Sequence, residues 1–102
     1  MKFLKLHLAA QAELDGAADF FEKQRAGLAK EFTDEVERAF QHLQRFPRSG
    51  SVFGRTKYRK CVVQRFPYLI FFRELEDTIW IVAVAHAKRK PGYWRRRKLP
   101  GD

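Results

Sequence analysis

Two stretches of this chain, YLIFFREL (68–75) and TIWIVAVAH (78–86), are apolar at consecutive positions, and only Glu76 and Asp77 separate them. Successive side chains of a strand point to opposite faces, so a strand that is apolar throughout must be covered on both. The first run keeps this character through Phe72 and the second through Ala85. The pair therefore reads as two central strands joined by an acidic turn, with the rest of the chain supplying their cover. The longest apolar run, Ile79 to Ala85, falls far short of the roughly 20 residues that cross a bilayer.

The preceding residues divide by period. KFLKLHL separates Phe3 from Leu4, Leu6 and Leu8, an alternation expected of a first strand. From Ala9 the spacing becomes helical, with Ala10, Leu14, Ala17, Ala18 and Phe21 on one stripe and Glu13, Asp15, Asp19, Glu22 and Lys23 mainly opposite. Gly27 stops this helix. A second helix carries Leu28, Phe32, Val36, Ala39, Phe40 and Leu43 and ends near Phe46-Pro47, so the short link predicts an antiparallel helical hairpin. Its Glu31, Asp34, Glu35 and Glu37 read as a solvated face with no catalytic role. PRSGSVFG breaks the helical period. YRKCVVQRF then alternates, with Tyr58, Lys60 and Val62 on one side and Arg59, Cys61, Val63 and Arg65 on the other. The order β-α-α-β-β-β predicts an α+β fold: a small, mainly antiparallel sheet with the N-terminal helical hairpin on one face and a short C-terminal helix or tail.

A length of 102 residues fits one domain, 1–102, and 45% hydrophobic with 15% aromatic residues is enough for a core. The N-terminus lacks the continuous apolar segment of a secretory signal, and the single cysteine, Cys61, has no partner for a disulfide, so a cytoplasmic protein is expected. The net charge of +9 is unevenly placed. Residues 1–46 carry seven Lys/Arg against eight Asp/Glu, whereas residues 47–102 carry fourteen against four. That asymmetry predicts an anionic partner: nucleic acid, the ribosome or an acidic protein segment.

His7, His42 and His86 lie far apart with one cysteine, which is no zinc-ligand pattern, and the basic half has too few carboxylates for a two-metal nuclease. No metal and no cofactor is expected. Arg55, Lys57, Arg59, Lys60 and Arg65 surround one strand, and His86, Lys88, Arg89, Tyr93, Trp94 and Arg95 follow another. Such a set suits phosphates and an unpaired base, as in single-stranded RNA. Metal-free RNA cleavage needs a group to accept the 2′-hydroxyl proton, cations on the phosphate and a proton donor for the leaving oxygen. His86 suits the proton transfer, Arg65 with Arg59 or Lys60 the charge, and Tyr93 stacking or proton donation. The alternatives are a His86 satisfied by backbone, an Arg65 held in a surface ion pair, and aromatics that fold back over the core, the reading favoured for Trp94.

AAQAELDGAADFFE, GLAKEFTDEVERAFQHLQRFP, the strand pair joined through RFPYLIFF and the ending IVAVAHAKRKPGYWRRR together resemble the RelE/ParE superfamily of type II toxin–antitoxin toxins, in particular its ParE-like, plasmid-stabilisation members. The resemblance covers nearly the whole chain. It implies a growth-inhibiting cytoplasmic protein neutralised by a cognate, often acidic, antitoxin. RelE-like members cut mRNA on the ribosome, and ParE-like members inhibit DNA gyrase without being nucleases. Within the resemblance, Arg65 matches an arginine that contacts the scissile phosphate in the RNA-cleaving members. His86 matches a histidine at the end of the last strand, and Arg89 and Tyr93 match an R-x-P-x-Y ending. Ribosome-bound mRNA and gyrase both stay open as targets, as does a degenerate toxin that binds only its antitoxin. No membrane partner is implied.

Overall fold

A computed structural model describes residues 1–100; Gly101 and Asp102, the end of the expected tail, lie outside the described residues. The chain runs β1 (Phe3–Leu6), α1 (Leu8–Gln24), α2 (Leu28–Arg45), β2 (Ser51–Val52), β3 (Arg59–Val62), β4 (Tyr68–Leu75) and β5 (Thr78–His86). The strands form one sheet in the order β1-β5-β4-β3-β2, antiparallel throughout except for the parallel pair of β1 with β5. This is the expected α+β fold.

Every residue of the two helical stripes packs in a single cluster against the sheet, together with Ile70, Phe72, Ile79, Ile81 and Val84. Burying stripes of this width is what holds a short helix in place, since isolated helices of this length are marginal in water. Gly27 stands between the helices with φ +89°, a left-handed conformation that costs glycine little, and so it starts α2 more than it stops α1. Leu8 departs from the expected alternation: β1 ends at Leu6, and Leu8 is the exposed first residue of α1.

The second face of the sheet has its own cluster, in which Phe71, Val82, Ala83 and Ala85 meet the C-terminal residues Trp94 and Leu99. Trp94 is fully buried, against Phe53, Tyr58 and Phe71 at ring-centroid distances of 5.4, 4.7 and 4.8 Å. The segment that places it is neither helix nor extended chain. Arg95 N–H bonds Gly92 C=O and Arg97 N–H bonds Trp94 C=O, both at 3.0 Å, giving consecutive turns after Pro91.

One irregularity directs the functional end of the sheet. Phe71 lies opposite Ala83 and Phe72 opposite Ile81, so Val82 is an extra residue in β5. Side chains change face at each residue along a strand, and a bulge shifts that phase by one. Ile79 and Ile81 face the hairpin, Val82 and Ala83 both serve the opposite cluster, and Val84 returns to the hairpin side. His86 consequently shares the hairpin side with Tyr68, its partner across the sheet, at a ring-centroid distance of 5.3 Å.

Candidate functional site

The end of the sheet that carries His86 collects the β3–β4 turn, the segment after β5 and the tip of the helical hairpin. Ala87 N–H bonds Pro67 C=O at 2.8 Å, which ties the first two together. Phe66 and Tyr68 pack against Phe21 of α1 and Phe32 of α2 with ring centroids 5.0–5.8 Å apart, which ties them to the hairpin. An aromatic platform therefore supports both Arg65 and His86.

Arg65 occupies a left-handed backbone conformation, φ +69°, uncommon for a residue with a Cβ and costing of order 1 kcal/mol. Its guanidinium does not stand free: Nη2 donates to Glu31 at 2.8 Å and Nη1 lies 3.5 Å from Glu35. Glu31 also accepts from Arg25 at 2.9 Å, and the hydrogen bonds from Arg65 and Arg25 hold its carboxyl below the usual range. Glu35, nearly buried, pairs with Arg38 at 2.8 Å as well. The acidic side of α2, expected to be only solvated, thus supplies two carboxylates to the candidate phosphate-binding arginine. Helical periodicity gives no sign of this, because the pairing crosses to the β3–β4 turn.

His86 is half-buried, and its Nδ1 accepts Lys88 N–H at 3.1 Å. In the neutral ring that bond places the proton on Nε2, so the imidazole keeps one donor. Lys88 is exposed beside it.

Tyr93 and Arg89 belong to a second set centred on Glu13, a residue the helical pattern assigned to solvent. The Glu13 carboxylate accepts from the Tyr93 hydroxyl, from Arg97 Nη1 at 2.7 Å and Nη2 at 3.0 Å, and from Val84 N–H at 3.1 Å, with Arg89 3.5 Å away. Arg89 lies over the Tyr93 ring, 3.6 Å from its centroid. Burial, followed by the hydrogen bond to Glu13, raises the Tyr93 phenol well above its ordinary pKa. Burial pushes Glu13 upward too, but the bonds from Arg97, Tyr93 and Val84 outweigh it and hold the carboxyl below its ordinary value. The phenol proton is directed at a carboxylate, and the ring is covered by a guanidinium, so Tyr93 in this arrangement holds the tail in place. Arg97, expected in a general cationic tail, is only 18% exposed at its side chain and also donates to Val82 C=O at 2.9 Å.

The remaining predicted residues lie elsewhere. Arg59 donates to Gly50 C=O at 2.8 Å and so secures the loop before β2. Lys60, opposite Phe71, is on the face away from the hairpin, as is Arg95, whose guanidinium lies 5.4 Å from the Phe53 ring centroid. The structure thus brings Arg65, His86 and Lys88 to one end, assigns Arg89 and Tyr93 to the Glu13 set, and separates Arg59, Lys60 and Arg95 from both.

Among the described residues, no three His, Cys, Asp or Glu side chains are grouped to hold a metal ion, and no helix is long and apolar enough to cross a membrane. A concavity of about 380 Å³ runs between α2 and β3, lined by Arg38, Ala39, His42, Leu43, Cys61 and Val62 among others. β2 reaches only Arg59 and Lys60, so no described strand covers the edge at Cys61 and Val62. Burial pushes the Cys61 thiol up to about 11, which keeps it protonated and unreactive.

No curated protein matches the chain. Among solved structures, a chain of the chromosomal ParDE toxin–antitoxin system from P. aeruginosa is similar at a TM-score of 0.73 and 21% identity, covering 84% of this chain and 96% of that one. That likeness supports the fold. The family model for the ParE toxin of the type II toxin–antitoxin system parDE matches residues 4–91, from β1 through the turn after His86, and on that match the chain belongs to the ParE toxin family.

Proposed function

We propose that this toxin acts by binding, without turnover, that DNA gyrase is its target, and that a cognate acidic antitoxin neutralises it. The observation that carries the reading is the state of Arg65. A guanidinium that stabilises a phosphorane-like transition state must be available to phosphate oxygens, yet that of Arg65 is held between Glu31 and Glu35. An incoming phosphate would have to displace one carboxylate and tolerate the other. Tyr93 supports the same conclusion, since its hydroxyl proton is given to Glu13 and not toward an open site. The antitoxin reading draws on the concavity between α2 and β3. Its apolar floor of Ala39, Leu43 and Cys61, its uncovered strand edge and Arg38 at its rim suit an extended acidic segment that adds to the sheet.

Metal-independent cleavage of ribosome-bound mRNA retains one supporting observation, the half-buried His86, whose Nδ1 is taken by Lys88 N–H, beside exposed Lys88. The two readings separate in a paired experiment. Purified protein is tested for inhibition of gyrase supercoiling, and primer extension is run on mRNA from cells briefly expressing it. Binding inhibition predicts blocked supercoiling with intact mRNA, and activity within about twofold of the parent for Tyr93→Phe, a loss of at most about 0.4 kcal/mol. New cuts in mRNA that disappear in both His86→Ala and Arg65→Ala, with supercoiling unaffected, would reverse the assignment.

A further inference from the structure

Residues 38–73 and 78–100 contain no Asp or Glu, and between them these segments hold fourteen cations from position 47 onward. The fold brings the 53–58 loop of the first segment against the C-terminal turns of the second. Trp94, from the second, is buried against Phe53 and Tyr58 from the first, so the β2–β3 loop and the C-terminal turns form one surface on the sheet face opposite the hairpin. Gly92, at φ +85°, turns the chain so that Lys90, Arg95 and Arg96 line a single concavity of about 480 Å³ with Pro91, Gly92 and Tyr93. Arg55 and Lys57 stand exposed on the adjoining loop, and Arg95 packs over Phe53 of that loop instead of meeting a carboxylate. None of Arg55, Lys57, Lys60, Lys90, Arg95 and Arg96 makes an ion pair with a described residue.

The contrast with the hairpin side is the informative point. There Arg25, Lys30, Arg38 and Arg65 are each matched to a carboxylate of α2. On the opposite face, burial of Trp94 holds Arg55, Lys57, Lys60, Lys90, Arg95 and Arg96 near one another without an ion pair to any described carboxylate. Such an arrangement disfavours the folded chain and favours any polyanion that reaches it.

We propose that this face binds the phosphate backbone of duplex DNA, independently of base sequence. Two features select that partner. A disordered acidic protein segment needs apolar footholds to offset its ordering cost, and the aromatics of this face lie beneath its cations, with Trp94 fully buried. Single-stranded nucleic acid binds through exposed aromatic platforms, whereas here Trp94 is fully buried and Phe53, Tyr58 and Tyr93 are half-buried. A surface of exposed Arg and Lys side chains that pair with no described carboxylate, over rings that are at most half-exposed, matches a duplex, whose outward face is phosphate. The inference goes beyond the gyrase reading and stands without it, since it concerns the face opposite the hairpin and not the Arg65–His86 end.

The test is fluorescence anisotropy of the full-length protein with a labelled duplex of mixed sequence over about 50 to 200 mM salt. Binding is expected with a logarithmic salt slope of about −3.6 to −5.4, as for ~4–6 phosphate contacts. The triple variant Lys90→Gln, Arg95→Gln, Arg96→Gln should flatten that slope by about 2 to 3. These side chains are exposed and leave Glu13, Tyr93, Trp94 and Arg97 intact, and circular dichroism checks the fold. Lys23→Gln, Arg25→Gln, Lys30→Gln on the hairpin removes the same charge and should leave the slope unchanged. Equal losses in the two triple variants would reduce the effect to net charge and overturn the proposal. Displacement of duplex by a poly-glutamate peptide of equal charge, or tighter binding of a single-stranded RNA, would overturn it in favour of those partners.

Discussion

Glu13 joins three parts of the chain through a single carboxylate. It sits on α1, accepts Val84 N–H from β5 and receives Tyr93 and Arg97 from the C-terminal turns. Glu13→Gln keeps the size but loses the charge, leaving Arg97, which is mostly buried, without its counter-ion. A destabilisation of about 1–3 kcal/mol near neutral pH is expected, measured by urea denaturation. The pH dependence has a defined sign. Because the folded carboxyl titrates below its unfolded value of about 4.3, its contribution is complete above that value and is lost as pH falls through the depressed folded pKa. The parent should therefore lose stability more steeply on acidification than Glu13→Gln, and parallel curves would remove Glu13 from this role. Neither this carboxylate nor the Glu31 and Glu35 partners of Arg65 was legible in the sequence. Each lies on the polar side of a helix, where periodicity distinguishes buried from exposed but not solvated from paired.

At the scale of elements, the two helices and the long strands β4 and β5 were legible almost to the residue, because wide apolar stripes and uninterrupted apolar runs leave few alternatives. The short β2 was not. Two residues carry no period, and Ser51-Val52 becomes a strand only by pairing with Lys60 and Arg59. Gly50, just before it, shows how tightly that pairing is fitted: a Cβ there would lie 2.7 Å from Phe72 Cζ and 2.8 Å from Lys60 C=O. Gly50→Ala should cost about 1–3 kcal/mol by overpacking, read as a lower denaturation midpoint with an unchanged slope. Gly16→Ala, where nothing lies within 4 Å, provides the comparison and should be neutral or stabilising. The bulge at Val82 was equally hidden, although it decides which face receives His86. Beyond β1, whose pairing ends at Leu6 with Ile81, the outer edge of β5 is met by Glu13 and Arg97 in place of a strand.

Across the whole molecule, charge is sorted by face: cations are ion-paired along α2, while Arg55, Lys57, Lys60, Lys90, Arg95 and Arg96 on the opposite side of the sheet pair with no described carboxylate. A net charge of +9 on a chain of 102 residues then makes stability depend on ionic strength. Raising salt to about 0.15 M, where the screening length is about 8 Å, is expected to increase Tm by roughly 2–5 °C, equivalent to under about 1 kcal/mol for a domain of this size. A fall in Tm over the same range would mean that the hairpin ion pairs outweigh the repulsion. The class of fold, the cores of both helices, the central strand pair and the excess of positive charge in the second half all follow from the order of residues, because apolar period and charge are properties of the chain itself. The C-terminal twenty residues, where strand gives way to a cationic tail at His86, gained their meaning only in three dimensions. Trp94 seals the second face, Tyr93 and Arg97 close on Glu13, and Lys90, Arg95 and Arg96 form no ion pair with a described residue. Contacts between residues some eighty positions apart depend on where the sheet, its bulge and the hairpin place them, and no local pattern encodes that placement.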